Sequence, residues 1–132
     1  MAQSVERAIR EATQALDGGD VERFLSFHTD DAVLHIPGRS PFAGDHSGKE
    51  NLRQVAQAQA QGASRTEIHD ILVTGEHAVM LGVFRSNVGG QEIEDREVLV
   101  FRHRDGQISE VWFYPSDQYA FDEAAATLGG TE

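Results

Sequence analysis

The candidate side chains for proton transfer singled out here are carboxylates and imidazoles, and the chain has no cysteine. Thiolate nucleophiles, disulfides and cysteine-based metal sites are thereby excluded. Asp117 stands out by position: it follows Pro115 and Ser116, past the last apolar run and at the start of a helical pattern. A carboxyl at the mouth of an apolar cavity has its pKa raised by desolvation, which suits proton transfer near neutral pH. The same place in the chain also suits plain helix capping. His35 lies in a short apolar run. Its neighbours Leu34 and Ile36 must face the opposite way, so one step of register decides whether it is structural or catalytic. His46 sits in a polar loop that could form a pocket rim or simply be solvated, and His103 fits a cross-strand or subunit contact. His35, His46, His69 and His103 are scattered, with no pair spaced i, i+4, so no metal is expected. No glycine-rich phosphate loop follows a strand.

The elements that must position these groups can be read from periodicity. Val5, Ala8, Ile9, Ala12 and Leu16 recur at helical spacing, with Ser4 as the expected cap and Gly18-Gly19 as the stop. Asp20 caps a short second helix carrying Phe24, Leu25 and Phe27. Residues Ala32 to Ile36 predict a strand ended by Pro37-Gly38, and a polar loop follows from Arg39 to His46. Ser47 to Glu50 has the capping-box pattern and opens a third helix that ends near Gly62. From Arg65 the period becomes that of strands: Thr66–Val73, Ala78–Val88, Glu92–Arg104 and Gln107–Tyr114. Gly75-Glu76, Gly89-Gly90 and Asp105-Gly106 separate them, and Asp105-Gly106 is the strongest hairpin signal. A last helix runs from about Asp117 to Leu128, and the tail from Gly129 reads as linker. Strands that cluster rather than alternate with helices give an α+β fold. A curved antiparallel sheet with helices on its concave face leaves a cone-shaped pocket.

Composition narrows the partners. The chain has 132 residues, expected as one domain over 1–132, and a net charge of -11 that disfavours nucleic acid and anionic membranes. No basic start is followed by an apolar stretch, and no run reaches the length of a membrane span, so a cytoplasmic protein is expected.

Two stretches carry a family resemblance. One runs from Thr29-Asp30-Asp31-Ala32 through Pro37-Gly38 to Gly48-Lys49. The other runs from Val100-Phe101-Arg102 through Asp105-Gly106 to Trp112, then Asp117. With Gly19-Asp20, they resemble SnoaL-like polyketide cyclases of the nuclear transport factor 2-like superfamily, which also holds the ketosteroid isomerases. The resemblance implies that fold, no cofactor, and an aspartate near Asp117 as acid or base. The isomerase groups are not carried over, because their three slots fall on Ile36, Ala12 and Leu99. The late-strand aspartate of the related epoxide hydrolases falls on Phe113.

Candidates for the pocket wall are Phe24, Leu34, Ile36, Phe42, Val111, Phe113 and Tyr119. Counting back from Asp105-Gly106 pairs Val98, Val100 and Arg102 with Phe113, Val111 and Ser109. Leu99, Phe101 and His103 then pair with Trp112, Glu110 and Ile108 on the other face. Apolar residues on both faces predict that a second copy covers the outer one, through Leu99, Phe101 and Trp112. The expected function is cofactor-independent acid/base chemistry, cyclase- or isomerase-like, on a small apolar molecule. Asp117 moves the proton and His35 or His46 assists. The rivals are a non-catalytic small-molecule binder and a dimerisation domain.

Overall fold

The computed structural model describes residues 2–61, 64–88 and 91–129. The chain runs α1 (Ala2–Asp17), α2 (Val21–Ser26), β1 (His28–Ile36), β2 (Gly44–Ser47) and α3 (Gly48–Ala60). It continues with β3 (Arg65–Val73), β4 (His77–Val88), β5 (Gln91–Arg104), β6 (Gln107–Pro115) and α4 (Gln118–Gly129). The six strands form one curved sheet in the order β2-β1-β6-β5-β4-β3. The expected α+β architecture is present. All pairs are antiparallel except β1 with β6, which run parallel.

Local chemistry explains most boundaries. In α1 the apolar residues at spacings of three and four, Val5, Ala8, Ile9, Ala12 and Ala15, are all buried. Gly19 takes φ 78° after this helix, a left-handed conformation open to glycine at little steric cost. The Asp20 side chain accepts from Arg23 N at 3.1 Å and caps α2. Asp105 and Gly106 both have positive φ, 55° and 82°, as the type I′ hairpin requires.

Three expectations fail locally. Ser4 lies inside α1, which starts at Ala2, so it is not the cap. Ser47 precedes α3 but makes no side-chain cap bond, and Glu50 pairs with Arg53 instead. Gly44 to His46, read as loop, and Ser47, read as the helix cap, form a short edge strand against Val33–Ile36, because polar residues there need only one pairing partner. The expected stop at Gly62, the Gly89-Gly90 turn and residues 130–132 of the tail lie outside the described residues.

The core forms where α1 crosses the sheet: Val5, Ile9 and Ala12 pack on Ala78, Met80, Phe101, Ile108 and Val111. A smaller cluster, Leu25, Ala32 and Leu52, ties α2 and α3 to β1. The observed register corrects the expected sidedness of β5 and β6. Leu99 pairs with Phe113, Phe101 with Val111, and Val100 with Trp112. The ladder slips between Arg102 and His103, leaving Ser109 as an extra residue whose hydroxyl donates to Arg102 O at 3.1 Å. Leu99 and Phe101 therefore face the concave side, and Trp112 alone of the three faces outward. Val79, Leu81, Val98, Val100 and Tyr114 share its face by alternation, with Leu81 and Tyr114 exposed. Among the described residues, no helix is long and apolar enough to cross a membrane.

Candidate functional site

The concave side of the sheet, roofed by α1, α3 and α4, encloses a cavity of about 200 Å³. Most of its wall is hydrocarbon. Phe24, Leu34, Ile36, Phe42, Val111 and Phe113 all line it, together with Met80, Phe84, Leu99 and Phe101. Phe121 of α4 meets Phe113 with ring centroids 4.8 Å apart, so the last helix closes part of the wall. α4 is held through its first turns. Gln118 Nε2 donates to Pro37 O at 3.2 Å, and Arg39 N donates to Asp122 Oδ2 at 3.1 Å. A Cβ at Gly38 would sit 2.2 Å from Gln118, so a larger residue there would push the clasp apart.

The sequence-derived catalytic candidates are not brought to this cavity. Asp117 is exposed and its Oδ1 accepts from Ala120 N at 3.0 Å, which makes it the cap of α4. Tyr119, expected on the wall, is 85% exposed because it lies on the outer side of the same helix. His46 donates through Nε2 to Phe42 O at 2.6 Å, and this bond shapes the loop that carries Phe42 inward. His35 points to the convex face, because Leu34 and Ile36 on either side point in. Its ring stacks on Trp112 at 5.2 Å. Its Nδ1 lies 2.7 Å from Asp45 and its Nε2 2.6 Å from Glu110. Partial burial pulls its pKa down, but the bonds to Glu110 and Asp45 more than offset this, and the pKa is raised.

What the cavity does contain is a set of acids at one end. Glu97 is only 6% exposed and lines the wall two residues along β5 from Leu99. Burial, then the charges of Asp95 and Asp17, push its carboxyl up to about 8. Such a group is mostly protonated at neutral pH. Asp95 also lines the cavity and accepts from Ser116 N at 3.1 Å and from the Ser116 hydroxyl. Asp17, the last residue of α1, accepts from Thr66 N at 3.0 Å through Oδ2. Burial raises its pKa, against the lowering effects of Thr66 N–H and Arg65. Its Oδ1 and the hydroxyl of Ser64 are both buried with no hydrogen-bond partner among the described residues. At the other end His28 is buried, and desolvation holds its imidazole down at about 4. It is therefore neutral. Nδ1–H donates to Phe24 O at 2.9 Å, which leaves Nε2 as an acceptor.

Sequence reading missed Glu97 because Glu92, Glu94, Asp95, Arg96 and Glu97 look like a solvated charged run. Alternation back from Phe101 through Leu99 puts Glu97, Asp95 and Ile93 on one face, but the register expected from the turn had assigned that face outward, and only the slip at Ser109 turns it inward. No group of three or more His, Asp or Glu among the described residues is arranged to hold a metal.

Comparison with known proteins bears on the fold. A family model described as a SnoaL-like domain matches residues 9–111. No curated protein matches the chain. Among solved structures, Bal32a from a soil-derived mobile gene cassette is 23% identical, with a TM-score of 0.84, over 94% of this chain and 98% of that one. The epoxide hydrolase/cyclase-like enzyme SalBIII, involved in pyran ring formation in the polyether salinomycin, is 13% identical, with a TM-score of 0.77, over 87% of this chain and 92% of that one. RV0760c from Mycobacterium tuberculosis, in complex with estradiol-17beta-hemisuccinate, is 21% identical, with a TM-score of 0.74, over 84% of this chain and 92% of that one. At these identities the likeness is one of fold, the nuclear transport factor 2-like cone expected from the sequence.

Proposed function

The chain belongs to the SnoaL-like domain family, and from that premise we propose that it is a small-molecule enzyme that works without a cofactor, by proton transfer on an apolar ligand in the cavity. The observation that carries this reading is Glu97: a buried carboxyl on the cavity wall, with acids and no cation among the charges acting on it. Its pKa of about 8 suits either direction of transfer near neutral pH. Protonated, it gives its proton to an oxygen on which negative charge develops. Ionised, it takes a proton from carbon, with little water to compete. Asp95 and Asp17 hold the proton on Glu97 by repulsion. The hydrocarbon wall holds the ligand body and keeps the local dielectric low.

The test uses nitrobenzisoxazole, whose ring opens when a base removes its carbon-bound proton and the N–O bond breaks. The elimination rate should rise with pH through about 8 as Glu97 ionises. Glu97→Gln should return it to the buffer background while keeping the fold. A Gln variant as fast as the parent would remove Glu97 from the chemistry.

A second reading has its own support. Ile36 and Leu99 line the cavity as hydrocarbon where isomerases carry acids, which favours a non-catalytic binder. The outward apolar face around Trp112 supports a homodimer under either reading.

A further inference from the structure

We propose that the cavity's own ligand is an apolar molecule bearing a cationic amine, with the ammonium seated against the Glu97 and Asp17 carboxyls on a wall that Ser64 also lines. The inference rests on the cavity being the ligand site, and it names the chemistry that site would select. Three acids line the wall, and no lysine or arginine is among the lining residues. An anionic ligand would be repelled there. A neutral hydrocarbon would leave two buried polar atoms, Asp17 Oδ1 and Ser64 Oγ, without partners. Ser64 is the independent pointer. It is 8% exposed, lines the cavity and has no hydrogen-bond partner among the described residues, which leaves its hydroxyl available to a ligand. A metal ion needs several carboxylates converging at short range, and the described residues hold no such group. An ammonium needs less: one ion pair and acceptors for its remaining protons.

The charge balance of binding follows. Glu97 faces Asp95 from its own strand and Asp17 from α1, while Arg65 acts on Asp17 from β3. With no cation beside it, this set leaves Glu97 mostly protonated at neutral pH. An arriving ammonium favours the carboxylate, so the Glu97 proton leaves to solvent as the ion pair forms. Amine affinity should therefore rise about tenfold between pH 6 and pH 7, both below the Glu97 pKa of about 8.

Calorimetry on the full chain decides it, with three probes on one ring system: naphthylmethylamine, naphthylmethanol and naphthoate. The amine should bind at least tenfold more tightly than the alcohol and naphthoate should give no heat. Amine binding at pH 7 should release close to one proton, read from the dependence of heat on buffer ionisation. Asp17→Asn should reduce the preference for amine, and Ser64→Ala should do so to a lesser degree. An alcohol binding as well as the amine, no proton release, or no heat from any probe each overturn the proposal. The outcome separates from that of the elimination assay. Glu97-dependent elimination without amine preference sinks the ligand class alone. Amine preference with elimination unaffected by Glu97→Gln sinks the catalytic reading alone.

Discussion

Glu97 and Glu110 sit on neighbouring strands of one sheet and live under opposite rules. Glu97 faces the concave side, where among the described residues the charges that shift it are those of Asp95 and Asp17. Glu110 faces the convex side and pairs with His35, which also reaches Asp45 and stacks on Trp112. The outer pair is ordinary surface electrostatics, with a proton shared between complementary groups. The inner carboxyl is retained without compensation, and such an arrangement opposes folding whenever it is charged. A group that works against stability in this way is where a functional explanation is needed. A paired surface group needs none.

The largest expected effect is on the inner side. Glu97 rises from 4.5 to about 8 on folding, so the stability it contributes is fully present below 4.5 and is lost as pH rises through 8. The loss is on the order of 5 kcal/mol. Glu97→Gln should therefore flatten the fall in thermal midpoint between pH 5 and pH 9, and a variant with the parent's pH profile would show that Glu97 ionises freely. Next comes the outer face. Trp112→Glu puts a charge into the apolar patch and should weaken a homodimer on the order of 100-fold. Sedimentation equilibrium reads this directly, and a parent chain that is monomeric at micromolar concentration would sink the dimer.

The pair on the convex side should matter less. His35 is stabilised in its charged form, so its contribution is present below 6.5 and fades as pH rises through its raised pKa. Glu110→Gln should lower that pKa in an NMR titration yet change stability by less than about 1 kcal/mol, because the pair is largely solvent-screened. Equal stability effects at Glu97 and Glu110 would erase the contrast between the two faces. The smallest effect is expected at Asp117. Asp117→Ala should lose a cap worth about 1 kcal/mol, read by denaturant melt. Nitrobenzisoxazole elimination should be unchanged. A large loss of turnover there would return the chemistry to the helix start.

The fold was legible because its signals are local. The α1 stripe, the Asp20 cap and the Asp105-Gly106 turn each act through residues close in sequence. The apolar wall was legible too, since large side chains beside Pro37 and on the last strand have few other places to go. The acids were not, because their roles depend on register. One bulge at Ser109 changes which residues of β5 sit beside which of β6, and counting back from a turn cannot detect it. Asp17 was hidden differently: it ends a helix, and only the distant Thr66 shows that it turns inward.

The parallel seam between β1 and β6 has a consequence for how the molecule is made. His28 pairs with Ile108, so the first strand waits for the last before it has a place in the sheet. At about 5–20 residues per second, synthesis of the intervening chain takes on the order of ten seconds. The antiparallel meander of β3 to β6 closes through short loops and can form by itself, whereas β1 must pay a long loop-closure entropy to dock. Until it does, the β6 edge stays open, with Trp112 and Val111 on it, and an open apolar edge invites other chains. Substitutions in His28–Ile36 should therefore reduce the yield of soluble protein through slow docking, even where the finished molecule is as stable as before.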